Sequence, residues 1–350
     1  MPCYKPLEAW HSAELNANGR RPLVFKFDAN TCGQPIEIAC GQCIGCKLER
    51  SRQWAIRCHH ELQLHENNTY ITLTYNDEHL PEDGSLDKSH FQLFMKRYRQ
   101  HLYRNTQKLN KKLKLKGDNR LKSPKISYFM CGEYGERCAD CKLNKKDCFN
   151  SNANHEFLSE LARPHYHAII FGDDFDDKYH FKTVNDFPYY RSPTLEKLWG
   201  KGHCTIGEAN FKSAAYIARY ITKKITGDKA EQHYKIFNTE TGVLHDVIPE
   251  YANPSRNPAI AKNWYEQYKR DLDKGFITID GTKIPIPKYY NTLLDREDDP
   301  EYAYDIELRK LNKMESIRIA DKSDNTRERL QVKEHIKRKK LKLLTRGFEQ

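Results

Sequence analysis

Arg163-Pro164-His165-Tyr166-His167-Ala168-Ile169-Ile170-Phe171 is the stretch on which the fold turns. Two histidines flank one bulky residue, and an apolar run follows. A β-strand sends residues i and i+2 to the same face. Both imidazoles therefore leave one strand together, as a pair of nitrogen ligands for a metal. Two imidazoles do not complete a site, and an open catalytic site commonly has a third protein ligand. Glu133 is the candidate, because it ends the strand-like segment Ile126-Ser127-Tyr128-Phe129-Met130-Cys131-Gly132-Glu133. That segment is expected to pair with the histidine strand. Two imidazoles and a carboxylate suit Mn²⁺ or Mg²⁺ and also accept Co²⁺ or Zn²⁺. Alone, a His-x-His is most often a half-solvated strand and nothing more.

Further along lies Tyr216-Ile217-Ala218-Arg219-Tyr220-Ile221-Thr222-Lys223-Lys224. Tyr216 and Tyr220 are i, i+4 neighbours on one helical face, and Lys223 joins them from i+3 of Tyr220. The ordinary use of this spacing is an aromatic stripe in a core. Beside a metal pair it offers another chemistry. A tyrosine hydroxyl can attack a phosphodiester and form a covalent phosphotyrosine, with a lysine to steady the phosphate.

The 350 residues carry 59 Lys+Arg against 48 Asp+Glu, a formal charge of +11, and only 38% are hydrophobic. A basic balance favours a polyanionic partner, most simply nucleic acid. No apolar run is long enough to span a bilayer, and Met1 to Lys5 shows no apolar signal core. The expectation is a cytoplasmic protein without a membrane partner. There its 11 cysteines are reduced, and their spacing points to metal. Cys40, Cys43 and Cys46 form one candidate structural zinc set, with Cys3, Cys32 or Cys58 as the fourth ligand. Cys138, Cys141 and Cys148 form a second, with His155 or Cys131. Free buried thiols are the plain alternative for both.

Three regions are expected: a cysteine-rich segment and helix over 1–66, a catalytic domain over 67–250 with a cysteine-rich insertion at about 135–162, and a basic region over 251–350. Thr69 to Tyr75 reads as a strand. Ser89 is the expected N-cap of a helix that follows it. Lys108 to Lys125 is basic, either a solvated helix end or an arm for a phosphate backbone. Gly200 to Gly207 reads as a short strand, and the double-tyrosine helix starts near Lys212. Asp280-Gly281 marks a hairpin turn, and the tail from about Glu301 is a basic helix or arm.

In combination these pieces resemble the His-hydrophobe-His, tyrosine-dependent (HUH) endonucleases that start rolling-circle replication. The chain is most similar to the replication initiators of microviruses in their gokushovirus branch. The resemblance is carried by Cys40 to Arg57, Thr72-Leu73-Thr74-Tyr75, Gly132-Glu133-Tyr134-Gly135, Arg163 to His167 and Tyr216 to Lys224, in that order. It implies an α+β fold: an antiparallel-sheet, RNA-recognition-like domain with helices on the sheet, here with a basic helical C-terminal extension. It implies that His165, His167 and Glu133 bind Mg²⁺ or Mn²⁺, and that Tyr216 and Tyr220 are paired nucleophiles assisted by Lys223. The implied partner is single-stranded DNA at a replication origin. No Gly-x-x-x-x-Gly-Lys-Ser/Thr is present, so unwinding and synthesis would need a host helicase and DNA polymerase. Two rivals remain on the residues alone: a non-enzymatic zinc-dependent nucleic-acid-binding protein, and a metal-dependent hydrolase of nucleotides.

Overall fold

The computed structural model describes residues 3–17, 19, 21–136, 157–158, 161–184, 186–225, 228–238, 241–296, 304, 308 and 324–342. The chain divides into two compact units, one of residues 53–271 and one of residues 1–52 with 272–349.

The chain begins with β1 (Leu7–Ser12), β2 (Leu23–Val24) and β3 (Thr31–Ile38), an antiparallel sheet in the order β2-β1-β3. Helix α1 (Ile44–Leu62) follows and runs on into the larger unit.

The larger unit is built on β4 (Asn68–Thr74), helix α2 (Lys88–Lys112) and β5 (Ser127–Glu136), then the short β6 (Phe157–Leu158) and β7 (Leu161–Phe171). The hairpin of β8 (Tyr179–Val184) and β9 (Phe187–Arg191) leads to helix α3 (Pro193–Trp199) and β10 (Cys204–Glu208). Helix α4 (Phe211–Lys223) and helix α5 (Asp228–His233) come next, then β11 (Lys235–Asn238), β12 (Leu244–Asp246), β13 (Tyr251–Pro254) and helix α6 (Lys262–Tyr268). Seven of these strands form one sheet in the order β13-β5-β7-β4-β10-β9-β8, and every pairing in it is antiparallel. The α+β expectation of an antiparallel sheet with helices on it therefore holds.

The pleat divides the work of the sheet. Ile71 and Leu73 of β4, Met130 of β5 and Tyr166, Ala168 and Ile170 of β7 are buried on one face. Phe91, Phe94, Met95 and Tyr98 of α2 and Leu195, Leu198 and Trp199 of α3 complete that core. On the opposite face Trp54 of α1 stacks on Phe129, with ring centroids 4.9 Å apart. Gly202 makes a close approach possible: its φ is +145°, and a Cβ there would meet the Asn76 amide nitrogen at 2.3 Å. The same contact lets Asn76 N–H donate to Lys201 O at 2.9 Å.

Two sequence expectations shift. The N-cap of α2 is Asp87, not Ser89: the Asp87 carboxylate accepts from Ser89 N–H at 2.7 Å, so Ser89 sits inside the first turn. The helix also absorbs Lys108, Lys111 and Lys112 of the basic stretch, the last two in its final turn, where cations complement the helix dipole. The described ends of the insertion prolong the β5–β7 ladder to Glu136 opposite Leu161. Cys138, Cys141, Cys148 and His155 lie outside the described residues.

In the other unit, β14 (Phe276–Ile279) and β15 (Thr282–Pro285) form the expected hairpin. Asp280 and Gly281 both have positive φ, 49° and 74°, as a two-residue I′ turn requires. Helix α7 (Lys288–Leu294) and the basic helix α8 (Arg327–Lys342) are its other described helices. Among the described residues no helix is long and apolar enough to cross a membrane.

Candidate functional site

The register of three strands assembles the polar side of the sheet. His165 stands opposite Glu133 on β5 and Thr74 on β4, and His167 stands opposite Cys131 and Thr72. Directly paired residues share a face, so Glu133, Thr72, His165 and His167 all project to the side away from the α2 core. His165 Nε2 lies 2.8 Å and His167 Nε2 3.0 Å from the same Glu133 oxygen, Oε1. The three ligand atoms lie within 4.8 Å of one another. Glu133 is 2% and His167 5% exposed, so few water molecules compete for them.

Hydrogen bonds on the far side of each ring orient the pair. His165 Nδ1 is 3.0 Å from Arg163 O. A carbonyl can only accept, so that nitrogen carries the proton. His165 Nε2 then either bears a second proton, as an imidazolium, or turns a lone pair toward a cation shared with Glu133. His167 Nδ1 is held by two hydroxyls, Tyr70 Oη at 2.8 Å and Thr72 Oγ1 at 2.9 Å. Such outer partners fix the tautomer and aim of a metal-binding imidazole. The separations of 2.8 and 3.0 Å match the edge of about 3.0 Å between adjacent ligands of a six-coordinate ion with ~2.1 Å bonds. The donor set fits a divalent cation.

Burial alone would raise the Glu133 carboxyl. The charges of His165 and His167 and their hydrogen bonds outweigh it and bring it down to about 2. Glu133 is thus an anion inside the fold, beside two imidazoles that can carry or hold a positive charge.

Helix α4 lies over this triad. Asn210 caps it, accepting from Ser213 N–H at 3.0 Å, while Ser213 Oγ accepts from Asn210 N–H at 2.8 Å. This reciprocal cap fixes where the helix starts, and so which residues face the sheet one turn later. Tyr216 and Tyr220 do, each 3% exposed. The Tyr220 ring stacks on His167, with centroids 5.5 Å apart and 16° between planes. Tyr216 meets His167 edge to face at 5.4 Å and Tyr220 at 5.0 Å. Burial first, then the Glu133 charge and the neighbouring Tyr216 and Tyr70, push the Tyr220 phenol far up. At rest it is a neutral hydroxyl. Lys223 closes the helix, and its side chain lies outside the described residues.

Three further residues touch this site. Tyr70 and Thr72 hold His167, and the Arg219 guanidinium carbon stands 5.6 Å from the centre of the Tyr216 ring. Burial and Tyr216 hold the Tyr70 phenol well above its usual range, so it keeps its proton beside His167. The alternation Tyr70-Ile71-Thr72-Leu73-Thr74 carried the signal. Its polar members fall on the histidine side once β4 is paired with β7.

The second cluster forms in the other unit. Cys3, Cys40, Cys43 and Cys46 place their sulfurs within 4.8 Å of one another. Cys32 and Cys58 do not join them. Cys32 Sγ faces Ser12 O at 3.5 Å, and Cys58 is buried in the part of α1 that belongs to residues 53–271. Cys131 lies on β5 opposite His167.

The family model described as replication-associated protein ORF2/G2P matches residues 68–140 and 142–225, the span that holds Glu133, both histidines and both tyrosines. The chain is 30% identical over 293 residues to replication-associated protein VP4 of Bdellovibrio phage phiMH2K, covering 83% of this chain and 76% of that protein. It is 27% identical to replication-associated protein ORF2 of Spiroplasma virus 4, covering 77% of this chain and 71% of that one. With replication-associated protein ORF4 of Chlamydia phage 1 it shares 25% identity over 76% of this chain and 57% of the relative. No solved structure matches the chain. The chain belongs to the family of these phage replication-associated proteins, and its resemblance to microvirus rolling-circle initiators holds.

Proposed function

We propose that this protein nicks single-stranded DNA at a replication origin and later rejoins the displaced strand. Tyr216 and Tyr220 are the nucleophiles, and Glu133, His165 and His167 hold Mg²⁺ or Mn²⁺ beside them. One observation carries this function: the rings of both tyrosines meet His167, whose Nε2 shares a Glu133 oxygen with His165.

When bound, the ion would supply Lewis acidity to a non-bridging phosphate oxygen and help orient the scissile bond. The protein supplies the rest. Stacking on His167 holds the Tyr220 ring, and packing against both rings holds Tyr216. A tyrosine oxygen bonds to phosphorus as its proton leaves. The bond from phosphorus to the 3′ oxygen breaks, and that oxygen takes up a proton. The products are a 5′-phosphotyrosine and a free 3′ hydroxyl that primes synthesis. The second tyrosine cuts the regenerated origin, and the 3′ hydroxyl released attacks the first phosphotyrosine. The bond from phosphorus to that tyrosine's oxygen breaks, the tyrosine oxygen takes up the proton the hydroxyl gives up, and the strand closes into a circle. Lys223, one turn beyond Tyr220, steadies the charge on the phosphate. Both tyrosines are buried, so DNA must displace part of what covers them to reach their hydroxyls. On this reading the protein works in the host cytoplasm, with a host helicase and DNA polymerase as partners.

The test mixes the protein and Mn²⁺ with labelled single-stranded oligonucleotides tiling the genome that encodes it. A band shift that survives denaturant is expected, and it should vanish in the Tyr216→Phe, Tyr220→Phe double variant. An undiminished adduct in that variant overturns the proposal. A shift seen only under native conditions supports the non-enzymatic nucleic-acid-binding rival, and cleavage without protein-bound DNA supports the hydrolase.

A further inference from the structure

The sheet β2-β1-β3 has little apolar core. In β1 only Ala9 and Ser12 are buried, and no residue of β3 is. A three-stranded sheet of this kind does not hold itself together by hydrophobic burial, and small units in that position are commonly stapled by a metal or by disulfides. The four cysteines sit where a staple would act. Cys3 precedes β1, Cys40 follows β3, Cys43 stands just before α1, and Cys46 is in its first turn.

Their spacing excludes one staple and fits the other. Cys43 and Cys46 sulfurs are 3.5 Å apart, Cys40 and Cys46 4.0 Å, and Cys3 and Cys43 4.0 Å. A disulfide needs about 2.05 Å. Four thiolates around a tetrahedral ion with Zn–S bonds of ~2.3 Å stand about 3.8 Å apart. The backbone is arranged for sulfur that carries charge. Tyr4 N–H donates to Cys43 Sγ, Cys40 N–H to Cys3 Sγ and Cys43 N–H to Cys40 Sγ, each at 3.3 Å. Amides aimed at thiolates stabilise a metal-bound tetrathiolate and orient its ligands. Gly41, at φ +74°, makes the turn between Cys40 and Cys43, and Arg50 Nη2 donates to its carbonyl at 3.3 Å. That guanidinium places positive charge beside a centre whose net charge with Zn²⁺ would be −2. The N-terminal end of α1 adds its dipole at Cys46.

We infer that Cys3, Cys40, Cys43 and Cys46 bind one structural Zn²⁺ that ties the segment before β1 and the end of β3 to the start of α1. All four positions are filled by protein, so the ion takes no substrate. It is separate from the Glu133 triad in ligand type and in the unit that holds it. Four sulfurs select zinc, whereas the nitrogen and oxygen set accepts a harder cation.

The protein should copurify with zinc bound through sulfur. Elemental analysis should show about one equivalent per chain lost from the Cys43→Ser, Cys46→Ser double variant. The protein with Cys138, Cys141 and Cys148 all changed to Ser should keep about one equivalent. Replacing Glu133, His165 and His167 by Ala should leave it in place too. If the double variant does not fold, Co²⁺ exchanged into the Cys138, Cys141, Cys148 variant gives the same answer. Intense sulfur-to-cobalt charge-transfer bands with tetrahedral d–d bands are expected there. Zinc retained by the double variant overturns the inference. So do cobalt bands that disappear with the Glu133 triad, or a protein free of zinc whose four thiols react at once with a thiol reagent.

Discussion

Tyr166 and its two neighbours sit side by side on one strand and do opposite things. Tyr166 points into the core formed with α2 and α3, where it is fully buried and bonded to Tyr75 Oη at 2.8 Å and Asp87 N–H at 3.0 Å. His165 and His167 point the other way, to Glu133 and the tyrosine helix. Period-2 alternation thus makes one strand a stabilising element on one face and a ligand-bearing element on the other. Changes at adjacent positions should therefore separate fold from chemistry.

The sharpest separation comes from the tyrosines. Tyr216→Phe with Tyr220→Phe should lower covalent adduct by at least about a thousandfold, as removal of a nucleophile does, while the thermal midpoint stays within a few degrees of the parent's. A matching loss of stability would mean that both rings serve the core alone. The opposite outcome is expected one residue from the histidines. Tyr166→Ala leaves a cavity under the sheet and should destabilise the protein by about 3–5 kcal/mol in denaturant titration. A loss below ~1 kcal/mol would break the division between the faces.

A smaller effect tests the partners of His167. Tyr70→Phe together with Thr72→Val removes both hydroxyls at Nδ1 and should weaken Mn²⁺ binding by roughly 10- to 100-fold in a calorimetric titration. Affinity unchanged within twofold would show that the ring needs no such support. The smallest effect marks where the chemical face turns structural. Glu61 of α1 accepts from Ala261 N–H at 2.6 Å and from Ser127 Oγ at 3.1 Å. Burial alone would raise its carboxyl, but hydrogen bonds from His65, Ala261 and Ser127 bring it below its ordinary value of 4.5. A depressed carboxyl stabilises the fold above its unfolded value and ceases to as pH falls through the folded one. The stability advantage of the parent over Glu61→Gln should be full at neutral pH and shrink below pH 4.5. A gap independent of pH would show that the carboxylate charge does not contribute.

Much of the site was legible because two local periods suffice for it. Alternation put His165 and His167 on one side, and i, i+4 spacing put Tyr216 and Tyr220 on one helical face. The pairing of Glu133 with His165 needs a ladder, which runs from Ser127 opposite Phe171 to Glu136 opposite Leu161 across a long insertion. No tight turn in the sequence could set that register. Cys3 was open for a related reason: it is 37 residues from Cys40, and only the β1–β3 pairing brings the two together. Tyr70 and Thr72 looked like ordinary strand formers until β7 gave them a partner. Asp87 and Ser89 are both good caps, and a choice between them depends on backbone angles that composition does not encode.

The central claim is that the tyrosines of α4 become bonded to DNA beside the histidine strand. The direct measurement is mass spectrometry of the denatured adduct, digested with nuclease and protease, formed with Mn²⁺ on the tiled single-stranded oligonucleotides. A nucleotide phosphate should be found on the peptide containing Tyr216 and Tyr220, and neither Glu133→Ala nor His167→Ala should yield it. A nucleotide attached to any other residue, or an adduct undiminished without Glu133 and His167, would contradict the account.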